Sequence, residues 1–388
     1  MRTPDLATRI AVTGAGIICA IGRNKGEVWQ SIVESRDGIG KLTRFPGETF
    51  PTDIAAEVGE LPSHKRLSRT DRLAVVAASE AITQAGEFPR ERAIVSTGTS
   101  TGGLLEGEDF YLHGRTRASR VLQQPTSGPS DAVARAFHLG GGVLSNATAC
   151  ASAGAAIGMA ADFLRSHHAD VAIAGGSDAL CRLTYSGFNV LQAVDPAPCK
   201  PFAADRKGIT LGEGAAYLVL ERWDDAIARG ATILAELCGY GASCDAHHPT
   251  APAEDGSGAQ AAMRGALAEA SLAPDAIDYV NAHGTGTLLN DSAETKALRS
   301  TFGDRVPVSS TKSYFGHTLG AAGGVEAVIS VLALLHQTAP PTLRLAKSAD
   351  DCTLDYIPHT PREMAMTNML SNTFGFGGSN VSLLFRRV

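Results

Sequence analysis

Cys150 closes the segment Val143-Leu144-Ser145-Asn146-Ala147-Thr148-Ala149-Cys150, where a short strand pattern gives way to the small, helix-forming run from Ala151 to Arg165. A thiol on the first turn of a helix meets unpaired backbone N–H groups and the positive end of the helix dipole, and both favour a thiolate. Taken alone, a free cysteine serves equally well as a buried small hydrophobe. Partners decide between the two. Asn281-Ala282-His283-Gly284-Thr285-Gly286-Thr287 places an imidazole after a strand, in a loop of glycines and small hydroxyl residues. Lys312-Ser313-Tyr314-Phe315-Gly316-His317 supplies a cation and a second imidazole just ahead of another small-residue helix, which carries Glu326. A lone loop histidine is more often structural than catalytic. Two of them beside glycine turns, with a nucleophile candidate on a matching loop, point instead to a nucleophilic catalytic site.

Such a site needs strand-loop-helix units to position it, and the chain reads as two sets of them in one order. The first half, residues 1–230, carries strands near Arg9–Thr13, Ala93–Thr97, Val143–Asn146, Val171–Ala174 and Ala215–Glu221. Its helices fall near Arg72–Gln84, Pro129–Phe137 and Ala151–Arg165. The second half, residues 231–388, repeats the order with strands near Ile233–Tyr240, Tyr279–Ala282, Val306–Ser309, Asn368–Thr373 and Asn380–Phe385. Helices near Gly258–Ala270, Asp291–Thr301 and Leu319–Leu335 separate them. Strands alternating with helices predict an α/β layered architecture, and the repeat predicts an internal duplication with one cleft at its pseudo-symmetry axis. The stretch from Ser177 to Gly212 lacks regular periodicity and is a candidate cover for that cleft.

Composition bounds the function. The 388 residues are 44% hydrophobic and 19% charged with a formal charge of −6, which suits a soluble enzyme with a large core and argues against a nucleic-acid binder. No apolar run approaches the roughly 20 residues of a bilayer span, and Arg2, Asp5 and Arg9 interrupt the N-terminus where a secretory leader would be apolar. A cytoplasmic location without membrane contact is the expectation. The seven cysteines are scattered without a C-x-x-C pair, which argues against a disulfide framework and a zinc site. His167-His168 and His247-His248 look metal-like, but adjacent side chains point apart and no third ligand follows; both pairs read as surface features. Gly14-Ala15-Gly16 echoes a dinucleotide loop without its third glycine, and a tight strand-to-loop turn is the better reading. One local basic stretch, His64-Lys65-Arg66 with Arg69 and Arg72, reads by charge alone as a solvated helix start.

Assembled, these residues resemble the elongating β-ketoacyl-acyl-carrier-protein synthases, condensing enzymes of the thiolase fold, over nearly the whole length. The marks are Val12-Thr13-Gly14-Ala15-Gly16, Thr148-Ala149-Cys150-Ala151, Pro201-Phe202 with Asp205-Arg206 and Gly208, and Leu211-Gly212-Glu213-Gly214-Ala215. To these are added Asn281 to Thr287, Lys312 with Gly316-His317, and Asn372-Thr373-Phe374-Gly375-Phe376-Gly377-Gly378-Ser379-Asn380. The resemblance implies a five-layered αβαβα sandwich of two βαβαβαββ halves, usually dimeric. It also implies a Cys150 nucleophile, an oxyanion hole from the N–H groups of Cys150 and Phe376, and His283 and His317 stabilising an enolate formed by malonyl decarboxylation. Lys312 and Glu326 would tune that site or simply support it. Phe374 and Phe376 resemble an aromatic gate, and Thr285 and Thr287 either contact pantetheine amides or hold the His283 turn. No cofactor is implied beyond the phosphopantetheine that carries the substrates, and no metal.

Carrier proteins are acidic, so Lys65, Arg66, Arg69, Arg72 and Arg206 become docking candidates. The segment from Glu106 to Gly142 departs from the family pattern: it is shorter, with Gly128-Pro129-Ser130-Asp131-Ala132-Val133 where many relatives carry Asn-Met-Ala-Ala-Gly. That segment usually reaches the dimer interface and acyl pocket, so the departure suggests a specialised synthase, as a homodimer or beside a non-catalytic chain-length-factor-like sister subunit. Other classes fit less well. A degradative thiolase wants a cysteine in the Phe374 to Gly378 loop, an initiating synthase uses Cys, His and Asn, and a chain-length partner lacks the nucleophile. A cysteine hydrolase would leave Lys312 and the second histidine unexplained.

Overall fold

Ile10-Ala11-Val12 pairs antiparallel with Ala235-Glu236-Leu237, and this short seam joins two five-stranded sheets into one ten-stranded run in the computed structural model. Residues 5–46, 50–112 and 118–388 are described. From the seam outward the first sheet runs Ile10–Cys19, Gly214–Arg222, Val171–Asp178, Ala93–Gly98, Val143–Asn146. The second runs Ala235–Cys244, Ser379–Arg386, Asn368–Gly375, Tyr279–Asn281, Val308–Ser309. In each, the two inner pairings are antiparallel and the two outer ones parallel, so the halves share topology as well as element order.

Helices occupy three levels around these sheets. Arg69–Ala85 packs on the outer face of the first sheet with Gly128–Ala136 beside it, and Ser257–Glu269 does the same on the second sheet with Leu288–Phe302. Between the sheets lie Ser152–Arg165 and Ala322–His336, each touching strands of both. The result is the five-layered αβαβα thiolase fold. Helix Ala322–His336 is buried from Ala322 to Leu334, which explains its all-round apolar sequence. With the preceding turn it forms an 18-residue apolar stretch, Leu319–His336, longer than composition suggested; 89% of it is buried inside the protein, so its hydrophobicity belongs to the core. The two central helices cross closely. A Cβ at Gly323 would lie 2.6 Å from the Gly154 nitrogen, which is why both sequences are rich in Gly and Ala there.

Gly14-Ala15-Gly16 is neither a nucleotide loop nor the expected turn, because the first strand continues unbroken to Cys19. Its glycines let helix Arg69–Ala85 sit against the sheet: a Cβ on Gly14 or Gly16 would stand 2.1 Å from the Ala81 or Ala77 carbonyl oxygen. Gly239 and Gly241 repeat the device beneath Ala266 and Ala262. The aperiodic stretch from Ser177 to Gly212 contains a helix, Arg182–Val190, that periodicity did not reveal. Within Glu106–Gly142, residues 113–117 lie outside the described residues, as does Arg2; around them stand helices Leu104–Leu112 and Gly128–Ala136.

Candidate active site

Cys150 sits in a 3-10 turn, Ala149–Ala151, that feeds helix Ser152–Arg165, and Ala149 holds a left-handed φ of 49° to make the corner. The turn brings the thiol, only 6% exposed, to the base of a cavity of about 290 Å³. Gly375 permits the approach of the opposite loop, since a Cβ there would lie 3.1 Å from the Cys150 nitrogen. Burial pushes the Cys150 thiol up to about 12, while the Lys312 charge and the N–H groups of Phe376 and Cys150 itself pull the other way. The helix start therefore does not yield the resting thiolate that the sequence suggested: desolvation outweighs it, and the resting group is a thiol.

His317 Nε2 lies 2.9 Å from the Cys150 sulfur. Its Nδ1 accepts a hydrogen bond from the Leu319 N–H at 3.3 Å, so the proton of the neutral ring resides on Nε2 and points toward the sulfur. Its backbone is clasped by the first half, with the His317 N–H donating to the Thr210 carbonyl and its carbonyl accepting from Gly212. The His283 ring stands edge-on to His317, with centroids 5.4 Å apart, and against Phe374 at 5.7 Å. Its Nδ1 is buried without a partner among the described residues. Burial first, and then the positive charge of Lys312, hold both imidazoles well below the ordinary histidine value, so both are neutral. Lys312 and Glu326 form a buried ion pair, Lys312 Nζ donating to Glu326 Oε1. Burial raises the Glu326 carboxyl to about 7 against the pull of that lysine.

Three carboxylates with no obvious chemical signature in the sequence hold this arrangement. Glu294 accepts the N–H groups of His283 and Gly284 at 2.8 and 2.7 Å, fixing the turn that presents the ring. Asp291 takes the N–H groups of Thr285 and Gly286, and that of Phe202. Asp178 accepts from Thr99, Ser100 and Thr101 and from the Gly320 N–H, tying the loop beneath Cys150 to the turn after His317. On a sequence, Asp291 and Glu294 look like ordinary charges on a helix. The available signal was their position three and six residues after Leu288, the first residue of a helix that follows the His283 loop directly, just where a helix start can reach back to a preceding loop.

The cavity brings together Cys150, His283, His317, Thr285, Thr287, Phe374 and Phe376. Thr285 and Thr287 bond each other through their hydroxyls at 2.9 Å while lining it, so turn-holding and ligand contact are compatible. Phe376 is half-buried and packs on Phe188 of helix Arg182–Val190, with centroids 5.5 Å apart, which puts the Ser177–Gly212 stretch over the cleft as expected. The docking candidates divide. Lys65 and Arg66 are exposed, and Arg72 is half-buried, donating to the Ser68 and Pro62 carbonyls. Arg69 is not a docking residue: it is 2% exposed and pairs with buried Glu213 at 2.6 Å. Arg206 is likewise buried, between Asp351 at 3.1 Å and Asp291 at 3.7 Å. A charge pattern cannot distinguish a solvated cation from one that neutralises an internal carboxylate. His167, His168, His247 and His248 are exposed, as read.

A thiol, two neutral imidazoles and a pair of backbone N–H donors around one cavity in a duplicated α/β sandwich define an acyl-transfer site of thiolase-fold type. The family model for the beta-ketoacyl synthase N-terminal domain matches residues 7–226, and that for the C-terminal domain matches residues 234–346. The chain belongs to the beta-ketoacyl synthase family. It is 40% identical to nodulation protein E of Rhizobium meliloti (strain 1021), over 98% of this chain and 99% of that one. It is 38% identical to 3-oxoacyl-[acyl-carrier-protein] synthase 2 of Synechocystis sp., covering 98% of each. Among solved structures, the ishigamide ketosynthase/chain length factor superposes with a TM-score of 0.94 at 33% identity, covering 98% of this chain and 99% of that one.

Proposed function

We propose that the protein extends an acyl chain by two carbons through decarboxylative Claisen condensation, in a specialised fatty-acid, polyene or polyketide pathway. The observation that carries this reading is His317 Nε2 at 2.9 Å from the Cys150 sulfur, with the second neutral imidazole beside it in the same cavity. The Cys150 sulfur attacks the thioester of an acyl carrier; the carbonyl oxygen takes up charge opposite the Cys150 and Phe376 N–H groups, and the carrier thiol leaves with the proton. A malonyl carrier then enters. Its carboxylate departs as CO₂, and the electrons left behind form an enolate whose oxygen accepts hydrogen bonds from the Nε2–H groups of His283 and His317. The enolate carbon forms its bond to the acyl carbonyl, the carbon–sulfur bond to Cys150 breaks, and the thiolate takes up a proton from water. Neutral rings suit this task because they donate without presenting a formal charge for the malonyl carboxylate to pair with.

A second reading concerns the partner. The likeness to the ishigamide ketosynthase/chain length factor, the altered Glu106–Gly142 segment and the exposed side chains of Tyr111, Leu112 and Leu122 within it favour a subunit that pairs with a chain-length-factor-like sister. Acyl carrier protein is the substrate-bearing partner in either case. We place the enzyme in the cytoplasm, consistent with seven cysteines that are all unpaired. Incubation with acyl carriers of several chain lengths, followed by intact mass, is expected to show an adduct that disappears in Cys150→Ala; no adduct at any length would overturn the assignment. Purification alone and with the products of neighbouring genes tests the partner. A stable homodimer active on saturated acyl carriers would exclude the heterodimer.

A further inference from the structure

Among the residues lining the active-site cavity, Lys207 is the one cation and Asp245 the one carboxylate. Asp245 is spoken for: its oxygens accept from the Asn380 amide at 2.7 Å and the Ala253 N–H at 3.1 Å. Lys207 is exposed, and its ammonium makes no ion pair or hydrogen bond among the described residues. Its neighbours differ sharply. Lys200 is bound to Asp205 at 2.6 Å, and Arg206 is buried against Asp291 and Asp351. One residue beyond Arg206, which burial removes from the docking set, the chain thus presents a cation to the cavity.

The backbone that carries Lys207 is fixed. Its N–H donates to Asp195 Oδ2 at 3.1 Å, and Ile209 bonds to Ala193 and Asp195. Gly208 packs so closely that a Cβ would lie 2.3 Å from the Ala193 carbonyl oxygen, and its own carbonyl oxygen lies 2.7 Å from where a Cβ on Gly286 would be. The lysine therefore stands on a rigid edge against the Thr285–Thr287 turn. Around it the mouth carries Leu191, Leu288 and Leu289, each more than half exposed, beside the uncharged polar side chains of Gln192, Thr250 and Asn290. A cavity with a thiol and two imidazoles at its base, hydroxyls along its wall, and aliphatic groups with a single cation at its rim fits a long arm. Such an arm is reactive at one end, amide-bearing and aliphatic in the middle, and anionic at the other end.

We infer that Lys207 reads the phosphate at the anionic end of the phosphopantetheine arm and makes the site prefer phosphorylated over unphosphorylated arms. This rests on the condensing-enzyme reading above. Lys207 lines the cavity that would take the arm, whereas Lys65 and Arg66 lie outside that lining and suit the carrier surface. An exposed ammonium–phosphate contact corresponds to about a fivefold preference, falling as salt is raised.

The test uses two small thioesters of one acyl group, on 4′-phosphopantetheine and on pantetheine, and measures Cys150 acylation rates by intact mass. The wild-type ratio is expected to be about fivefold in favour of the phosphorylated arm, to fall to about one in Lys207→Ala, and to invert in Lys207→Glu. A ratio that survives both substitutions would overturn the assignment. So would a wild-type ratio of one combined with slower transfer from the whole carrier protein in Lys207→Ala, which would give the lysine to carrier carboxylates instead. No Cys150 adduct with either thioester would overturn the condensing-enzyme reading itself, and the inference with it.

Discussion

The two halves build the same corner and use it differently. In the first, strand Val143–Asn146 leads to a 3-10 turn, Ala149–Ala151, whose first residue has φ 49°; in the second, strand Val308–Ser309 leads to the turn Leu319–Ala321, whose first residue has φ 53°. The residue after each strained position is Cys150 in one half and Gly320 in the other. Gly320 can carry no side chain, because a Cβ there would lie 2.5 Å from the Ser100 nitrogen and 2.6 Å from an Asp178 oxygen. The second half instead places its chemistry two residues ahead of its corner, at His317. Both halves thus carry the same device for aiming a helix start at the axis, and in the proposed function one copy serves the nucleophile and the other a hydrogen-bond donor. The sheet edges diverged as well. Val143–Asn146 has alternating exposure, whereas Val308–Ser309 is fully buried and Val308 donates to the Asp355 carbonyl.

Removing the proposed nucleophile, Cys150, tests this division of labour most completely. Cys150→Ala is expected to lower condensation on the order of a thousandfold or more while the fold stands, as read by product formation and thermal unfolding. A comparable loss should follow His317→Ala but without loss of the acyl adduct. If His317→Ala retained full malonyl decarboxylation, and His283→Ala did too, the donor role would be lost from the second half.

The next effect concerns stability. Lys312→Met leaves Glu326 buried without its partner and is expected to destabilise the protein by about 3–5 kcal/mol, whereas Lys312→Met with Glu326→Leu should recover most of that loss. Equal instability in the single and double variants would show that the pair contributes through packing rather than charge. The same double variant sharpens the electrostatic comparison. The Lys312 charge lowers the Cys150 thiol and lowers both imidazoles, so losing it moves all three groups upward. In the wild type, the acid limb of malonyl decarboxylation should lie well below pH 6.5, because the rings bind a proton only below their depressed values. In the variant it should move toward 6.5. An acid limb at the ordinary histidine value in the wild type would contradict the buried, neutral rings.

A smaller effect tests the sheet edges. A strand with unpaired backbone groups and alternating exposure is a template for pairing with another chain. Val143→Asp is expected to weaken self-association or pairing with a sister subunit, read by light scattering, with the monomer fold intact. Unchanged mass across protein concentrations would place the interface elsewhere.

Much of this was legible in the sequence because it is local. Small residues after a strand marked the corner at Cys150, and glycines marked the loops of His283 and His317. What was hidden depended on contacts between distant segments. Gly14 and Gly16 look like a turn until Ala77 and Ala81 are seen against them, although their recurrence as Gly239 and Gly241 was a clue to a packing role. Arg69 and Arg206 look like docking cations because Glu213 and Asp291 lie 144 and 85 residues away. The thiolate expected from the helix start failed for a related reason: the helix start is local, but the desolvation that opposes it comes from the whole fold.

The strained corner itself predicts the smallest effect. A left-handed φ costs a non-glycine residue about 1–2 kcal/mol, and glycine removes that cost while adding about 0.5–1 kcal/mol of unfolded-state entropy. At Ala149 the side chain is one methyl group, so Ala149→Gly should change stability by less than about 1 kcal/mol, with the strain relief at or slightly above the entropic loss. Leu319 is 2% exposed and packs with Leu180, Tyr185, Ile209 and Leu211, so the same relief in Leu319→Gly is outweighed by the lost core side chain, at about 2–5 kcal/mol. Chemical denaturation of the two variants reads the difference directly. If Ala149→Gly cost as much as Leu319→Gly, the strain at the nucleophile would not be relieved by glycine, and the equivalence of the two corners would fail.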